Sequence, residues 1–259
     1  MVDLHNKIVV ITGASSGIGA ETAREFSRQG AVPILTARSV DQLHEVAGKL
    51  EGRFGVFRLD VTKEDEVRDV FALIEQKFGP IDVLVNNAGF GFFETVLDAP
   101  VHHMEDMMNV NYMGTVRCVK NVLPGMTARR SGHIVNVASL AGKVATAKAA
   151  GYAATKHAVL GFSNGLRQEM KGTGVRITTI NPGPVATPFL TKADPEGGYF
   201  DNVKGLILTP EQVAAAIVNS VKRGKEEVNL PSAAGFALRF YHLFPRWIDR
   251  VGHRLLNRK

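Results

Sequence analysis

An α/β fold, with one parallel sheet doubly wound between two layers of helices, is what this sequence predicts. Three observations carry the prediction. Short apolar runs recur along the chain, and each is followed by a segment of helical periodicity. The first run opens directly into a glycine-rich turn, Thr12-Gly13-Ala14-Ser15-Ser16-Gly17-Ile18-Gly19, at a helix start. Later runs end in small or polar residues, such as Asn86-Asn87-Ala88-Gly89 and Asn181-Pro182-Gly183. Those ends lie at the carboxyl edge, where open α/β sheets bind ligands. Alternating βα units imply one sheet of about seven strands rather than two domains.

The first strand covers residues 7–11, and the helix after the glycine turn reaches residue 29. In that turn Gly13 takes the tight bend, Gly17 lets the backbone approach a pyrophosphate, and Gly19 allows helix and strand to pack closely. The helix amino terminus then faces the anion. The spacing is Gly-x-x-x-Gly-x-Gly, not the commoner Gly-x-Gly-x-x-Gly. Strand 31–37 ends in Thr36-Ala37-Arg38-Ser39. A site that prefers NAD places an acid there for the ribose 2′-hydroxyl. Arg38 instead offers charge and a fork that suit a 2′-phosphate. NADP(H) is therefore favoured, with NAD(H) as the alternative if Arg38 is merely solvated.

A helix at 41–50 leads to strand 55–59, which ends at Asp60-Val61; helix 63–78 leads through Gly79-Pro80 to strand 81–85. Past that strand, Asn87 is placed to hydrogen-bond backbone and tie neighbouring strands, and Ala88 and Gly89 permit close approach of a flat ring or ribose. The helix predicted at 104–123 holds Asn111 near its middle. Asparagine is a poor helix-interior residue, so Asn111 is either exposed or recruited. Strand 133–138 ends at Ser139, whose hydroxyl stands at the ligand edge.

Tyr152 and Lys156 follow on a helix, four residues apart and thus on one face. A free phenol titrates near ~10, and a neighbouring positive charge lowers that value toward the range of a neutral-pH acid/base. Alone, the pair reads more readily as an ordinary surface pair. Strand 175–180 ends in Asn181-Pro182-Gly183-Pro184-Val185-Ala186-Thr187-Pro188, a loop stiffened by three prolines. Residues 189–208 are irregular and long for a connector, which fits a lid or binding segment and equally a disordered surface loop. Thr209-Pro210-Glu211-Gln212 starts another helix, and residues 227–231 form the last strand.

Hydrophobic residues make up 45% and charged residues 22% of the 259, an ordinary globular balance. The single cysteine, Cys118, excludes an internal disulfide and a multi-cysteine metal site, and fits a reducing compartment. No metal is expected. With no apolar signal core at the start and no uninterrupted run of roughly 18 apolar residues, the sequence reads as cytoplasmic, without a membrane span. The net charge is +6, and residues 232–259 hold six Lys/Arg against one Asp, so most of the basicity belongs to the tail. That argues against a nucleic-acid-binding face on the main domain.

In the tail, Phe236, Phe240, Leu243, Phe244, Trp247, Ile248, Val251 and Leu255 fall on one helical stripe flanked by Arg239, Arg246, Arg250 and Arg254. Pro245 divides it into two helical pieces. Such an amphipathic segment suits a subunit interface, a cover over the crevice, or peripheral contact with an anionic membrane through 236–259, with a loose tail as the remaining reading.

Taken together, Thr12 to Gly19, Asp60, Asn86 to Gly89, Asn111, Ser139, Tyr152 to Lys156 and Pro182-Gly183 resemble the short-chain dehydrogenase/reductase family over about residues 5–231. The resemblance implies one Rossmann-type domain at 1–231 with a C-terminal extension at 232–259. It implies a small carbonyl or alcohol as substrate, and a homodimer or homotetramer. It makes Tyr152 the general acid/base and sets Ser139 on the substrate oxygen. Lys156 would bind the nicotinamide ribose, and Asn111 would hold a water relaying protons to Lys156. Asp60, with Val61, would contact the adenine, and Pro182, Gly183, Val185 and Thr187 would position the nicotinamide. Thr36 to Ser39 and Ser139 to Ala145 also resemble the NADP-using, hydroxysteroid-dehydrogenase-like branch, although Ser15 and Ser16 stand where that pattern often has a basic residue. A catalytically idle coenzyme-binding regulator and a membrane-surface module acting on a lipid-like ketone are the competing readings.

Overall fold

The computed structural model describes residues 1–194 and 207–233. The expected tail helices and the middle of the expected lid lie outside the described residues. Seven strands form one sheet, all parallel, in the order β3-β2-β1-β4-β5-β6-β7. They are β1 Ile8–Thr12, β2 Val32–Ala37, β3 Gly55–Arg58, β4 Val83–Asn86, β5 Gly132–Val137, β6 Val175–Pro182 and β7 Glu227–Leu230. The order reverses between β1 and β4, which opens a crevice at their carboxyl ends.

Side chains alternate across the pleat. Val9 and Ile11 enter one core, packed by α1 (Gly17–Arg28), α2 (Val40–Ala47) and α8 (Pro210–Arg223). Ile8 and Val10 enter the other, beneath α3 (Glu64–Phe78), α5 (Gly114–Ala128) and α6 (Ala150–Glu169). Burial on both faces is why these strands read as unbroken apolar runs. Cys118 is fully buried in the second core, and its thiol is pushed up to about 12 by that burial, so it is an inert packing group.

Two elements differ from the sequence expectation. The helix expected at 104–123 begins earlier and is interrupted: α4 (Val101–Met108) passes through a π-helical turn, Asn109–Met113, into α5. The turn's i→i+5 pattern holds one extra residue, and that is how a helix accommodates Asn111 at its centre. The proline-rich loop after β6 is also partly helical, since α7 spans Pro188–Ala193. Thr187 is its extended N-cap and Pro188, whose missing N–H is harmless there, its first residue. Leu208 is bound back to the same loop, with its N–H on the Pro184 carbonyl at 2.8 Å and its carbonyl accepting from Ala186 at 2.9 Å.

His133 on β5 is buried, with Nε2 2.7 Å from the Thr178 hydroxyl. That hydroxyl donates its one hydrogen to the Lys225 carbonyl, so Nε2 must be the donor to it. Burial, with Arg176 nearby, lowers the imidazole pKa from 6.5 to about 4. The folded state thus binds fewer protons than the unfolded chain between those values, and stability falls as pH drops through that window. At about 1.4 kcal/mol per pH unit the loss is on the order of 3 kcal/mol. A Tm-against-pH profile should show it in the wild type and not in His133→Gln.

Candidate active site

The glycine turn is held from behind. Asn87, just past β4, donates from Nδ2 to the carbonyls of Thr12 (3.0 Å) and Gly13 (3.1 Å). In return the Thr12 hydroxyl accepts from the N–H groups of Asn87 and Ala88, both at 3.0 Å. Four bonds therefore fix the turn to the neighbouring strand. Gly13 has φ +65, where a side chain is strained. Gly19 has no room for one: a Cβ there would lie 2.3 Å from the Gly13 carbonyl oxygen. The N-cap of α1, Ser16, is extended and makes no side-chain cap bond, and the first turn holds no acid. Its N–H groups and positive dipole end are left for an anion.

At the end of β2, Arg38 is exposed, with no ion pair among the described residues. Asp60 stands at the end of β3 and accepts from the Thr62 amide (3.0 Å) and hydroxyl (2.8 Å). Burial raises its pKa, but the Thr62 bonds and the charges of Arg38 and Lys63 outweigh that, so the carboxyl titrates below its ordinary value.

At the other end, Ser139 follows β5. Its Oγ accepts from the Ala141 amide at 3.0 Å and makes a long contact of 3.4 Å to the Pro182 carbonyl. Tyr152 and Lys156 are both buried on α6, with Nζ 5.7 Å from the phenol ring centre. The ammonium donates to the Val137 carbonyl at 3.0 Å, and burial lowers its pKa from 10.5 to about 8. Phe93 and Phe189 pack on the Tyr152 ring, with centroids 5.7 and 5.5 Å away.

Asn111 is recruited, not exposed. Its Oδ1 accepts from the Phe90 amide (2.9 Å), and Nδ2 donates to the Phe90 carbonyl (2.8 Å) and the Thr155 hydroxyl (3.0 Å). Thr155 passes its own hydrogen to the Tyr152 carbonyl at 2.8 Å. The carboxamide is thereby committed to clamping residue 90 against the Tyr152 helix.

One cavity of about 1060 Å³ runs from Arg38 to Phe189. It is lined by every residue expected from the sequence except Gly19 and Asn111, which stand just behind the wall. Thr12 and Thr155 carried no individual role in the sequence reading. Thr155 was detectable: a threonine three residues after Tyr152 on a helix can hydrogen-bond back to its carbonyl. Thr12 gave no such signal, because its partners lie 75 and 76 residues away. Phe189 was expected only as part of the lid.

A doubly wound parallel sheet whose switch-point crevice joins a glycine turn to a buried Tyr–Lys pair defines a nucleotide-dependent oxidoreductase. Comparison narrows the class. The short chain dehydrogenase model matches residues 7–197, and the chain belongs to that family, whose members act between CH–OH and C=O groups. It is 41% identical over 198 residues to an uncharacterized oxidoreductase of Staphylococcus saprophyticus, covering 75% of this chain and 85% of that one. A closed form of serine dehydrogenase complexed with NADP+ superposes with TM-score 0.80 at 34% identity, covering 86% of this chain and 94% of that one. An actinorhodin polyketide ketoreductase variant with NADPH gives TM-score 0.82 at 29% identity, covering 89% and 97%. No helix among the described residues is long and apolar enough to cross a membrane.

Proposed function

We propose that the protein is an NADP(H)-dependent reductase that interconverts an apolar ketone or aldehyde with its alcohol. The observation that carries this reading is the placement of Tyr152 and Lys156, buried side by side in the cavity that also reaches Arg38. The uncapped α1 terminus fits a pyrophosphate. Arg38 fits a 2′-phosphate. The two structural relatives described with NADP+ and NADPH support the same coenzyme.

When bound, NADPH supplies the hydride. The chain's own residues do the rest. Tyr152 gives its proton to the substrate oxygen as charge develops there. The Ser139 hydroxyl, held only loosely at 3.4 Å by Pro182, turns to donate to the same oxygen. The Lys156 ammonium favours the phenolate that remains. With the Asn111 side chain committed, the group left to hold a relaying water is its main-chain carbonyl, an acceptor that already takes a bond from Thr115 at 2.9 Å. The reading includes assembly as a homodimer or homotetramer through α5 and α6; Gly161 and Gly165 of α6, and Met113 just before α5, are exposed.

Coenzyme fluorescence titration tests the reading. Wild type should bind NADPH roughly ten- to a hundredfold tighter than NADH, the range of one charge-assisted bond. Arg38→Asp should invert the preference. Equal binding of both coenzymes by the wild type would make Arg38 a solvated bystander, and binding of neither would remove the enzymatic reading.

A further inference from the structure

The segment Phe90–Phe93 forms one wall of the cavity, and every residue of it is fixed from outside. The Asn111 carboxamide holds both backbone groups of Phe90. A Cβ on Gly91 would lie 3.0 Å from both the Tyr152 and Phe189 rings, so the backbone rests directly on them. The Phe92 amide points at the Met107 sulfur at 3.3 Å, and the Phe93 amide donates to the Ala193 carbonyl at 2.9 Å. Phe92 is also gripped through its ring. His103 of α4 lies stacked on it, with centroids 4.0 Å apart and planes 21° apart. His103 in turn is oriented by Glu94, whose carboxylate accepts from Nδ1 at 2.8 Å. The Phe90 ring meets Phe92 edge-on at 5.4 Å. None of these contacts reaches a reacting atom.

We propose that His103 is a positioning residue that holds Phe92 as a rigid plate, making this wall a subsite for a flat, fused-ring aromatic ketone. The inference rests on the carbonyl-reductase reading and deepens it by naming the substrate class. Three observations favour a planar ring over a flexible aliphatic chain. Phe90, Phe92, Phe93 and Phe189 all line the cavity, and aromatic faces and edges reward another ring in offset or edge contact. The wall is braced in advance, so a rigid ligand loses little freedom on entering it. The charged residues lining the cavity are Arg38, Asp60, Lys156 and Lys192, and none belongs to the Phe90–Phe93 wall. Glu94 is turned to His103 and is not among the lining residues.

Calorimetric titration of the NADP+ complex with 2-acetonaphthone, and with 2-butanone as a small aliphatic comparator, tests the proposal. In His103→Ala the affinity ratio of the aromatic to the aliphatic ketone should fall about fivefold, the factor a stacked pair carries. His103→Phe keeps a stacking ring but loses the Glu94 bond, and should retain the wild-type ratio within about twofold. Parallel losses for both ketones, or an unchanged ratio in His103→Ala, would overturn the inference, as would a wild-type complex that fails to bind 2-acetonaphthone. Turnover separates the two readings. If wild type binds 2-acetonaphthone with the expected pattern yet never consumes NADPH, the reductase reading falls and the aromatic subsite stands. If it reduces the ketone but His103→Ala does not change selectivity, only the subsite falls.

Discussion

Tyr152→Phe should lose roughly 10²- to 10⁴-fold in kcat, the range that a positioned proton transfer contributes, with NADPH affinity within about twofold of wild type. The substitution is well matched to the question. Tyr152 is 8% exposed, and its ring contacts with Phe93 and Phe189 depend on the aromatic face and edge. Phenylalanine reproduces them, so the fold and the wall behind the ring stay in place. Its carbonyl still accepts from Thr155. Steady-state turnover of a ketone, beside a coenzyme titration of the same preparation, reads the result. Equal turnover in the variant would end the assignment of Tyr152 as the acid.

Lys156→Met should move activity and stability in opposite directions. In the coenzyme-free protein the ammonium is buried, with a carbonyl as its described hydrogen-bond partner, and burial holds its pKa at about 8 against 10.5 when exposed. Below pH 8 the folded chain carries the full burden of a desolvated charge. Between about 8 and 10.5 it sheds that proton while the unfolded chain keeps its own, so wild-type stability rises with pH. Methionine fills similar volume without the charge. The drop from 10.5 to about 8 corresponds to ~3 kcal/mol, and the lost charge-assisted bond to Val137 offsets about 2 kcal/mol of it, so the variant should be about 1 kcal/mol more stable at pH 7. The advantage should fade toward pH 10.5, and ketone reduction should collapse. Denaturant melts at pH 7 and 10 give the stability arm. A variant less stable at pH 7 would mean that Lys156 anchors the site rather than straining it.

How much of this was legible in the sequence follows from the range of the interactions. The strands and the glycine turn were legible because their signals are local: apolar runs buried on both faces, and glycines before a helix. The Tyr152–Lys156 pair was legible for the same reason, since four residues on a helix fix one face. Asn111 was only half legible. Its sequence position showed that something unusual had to occupy the helix centre. Which groups it serves depended on Phe90 and Thr155, brought beside it by tertiary packing and by the π-helical turn. The brace of His103 on Phe92 was invisible because α4 had been expected to begin at 104. Starting it at Val101 brings His103 into its first turn. The helical stretch Pro188–Ala193 was masked by prolines that read as loop, although one of them begins the helix.

The π-helical turn at Asn109–Met113 has a consequence for how this chain tolerates change. One extra residue in a helix advances everything after it by about 100° around the axis. Met107, before the turn, belongs to the cluster around Tyr152, whereas Cys118, Val119, Val122 and Met126, after it, belong to the sheet core. A single continuous rod thus borders two compartments with different jobs, and the turn is the joint between them. Met104 and Met107 pack behind the aromatic wall, so substitutions there bear on that wall and not on the packing of the sheet. Selection for a new substrate has half a helix to work with, and the other half need not be renegotiated.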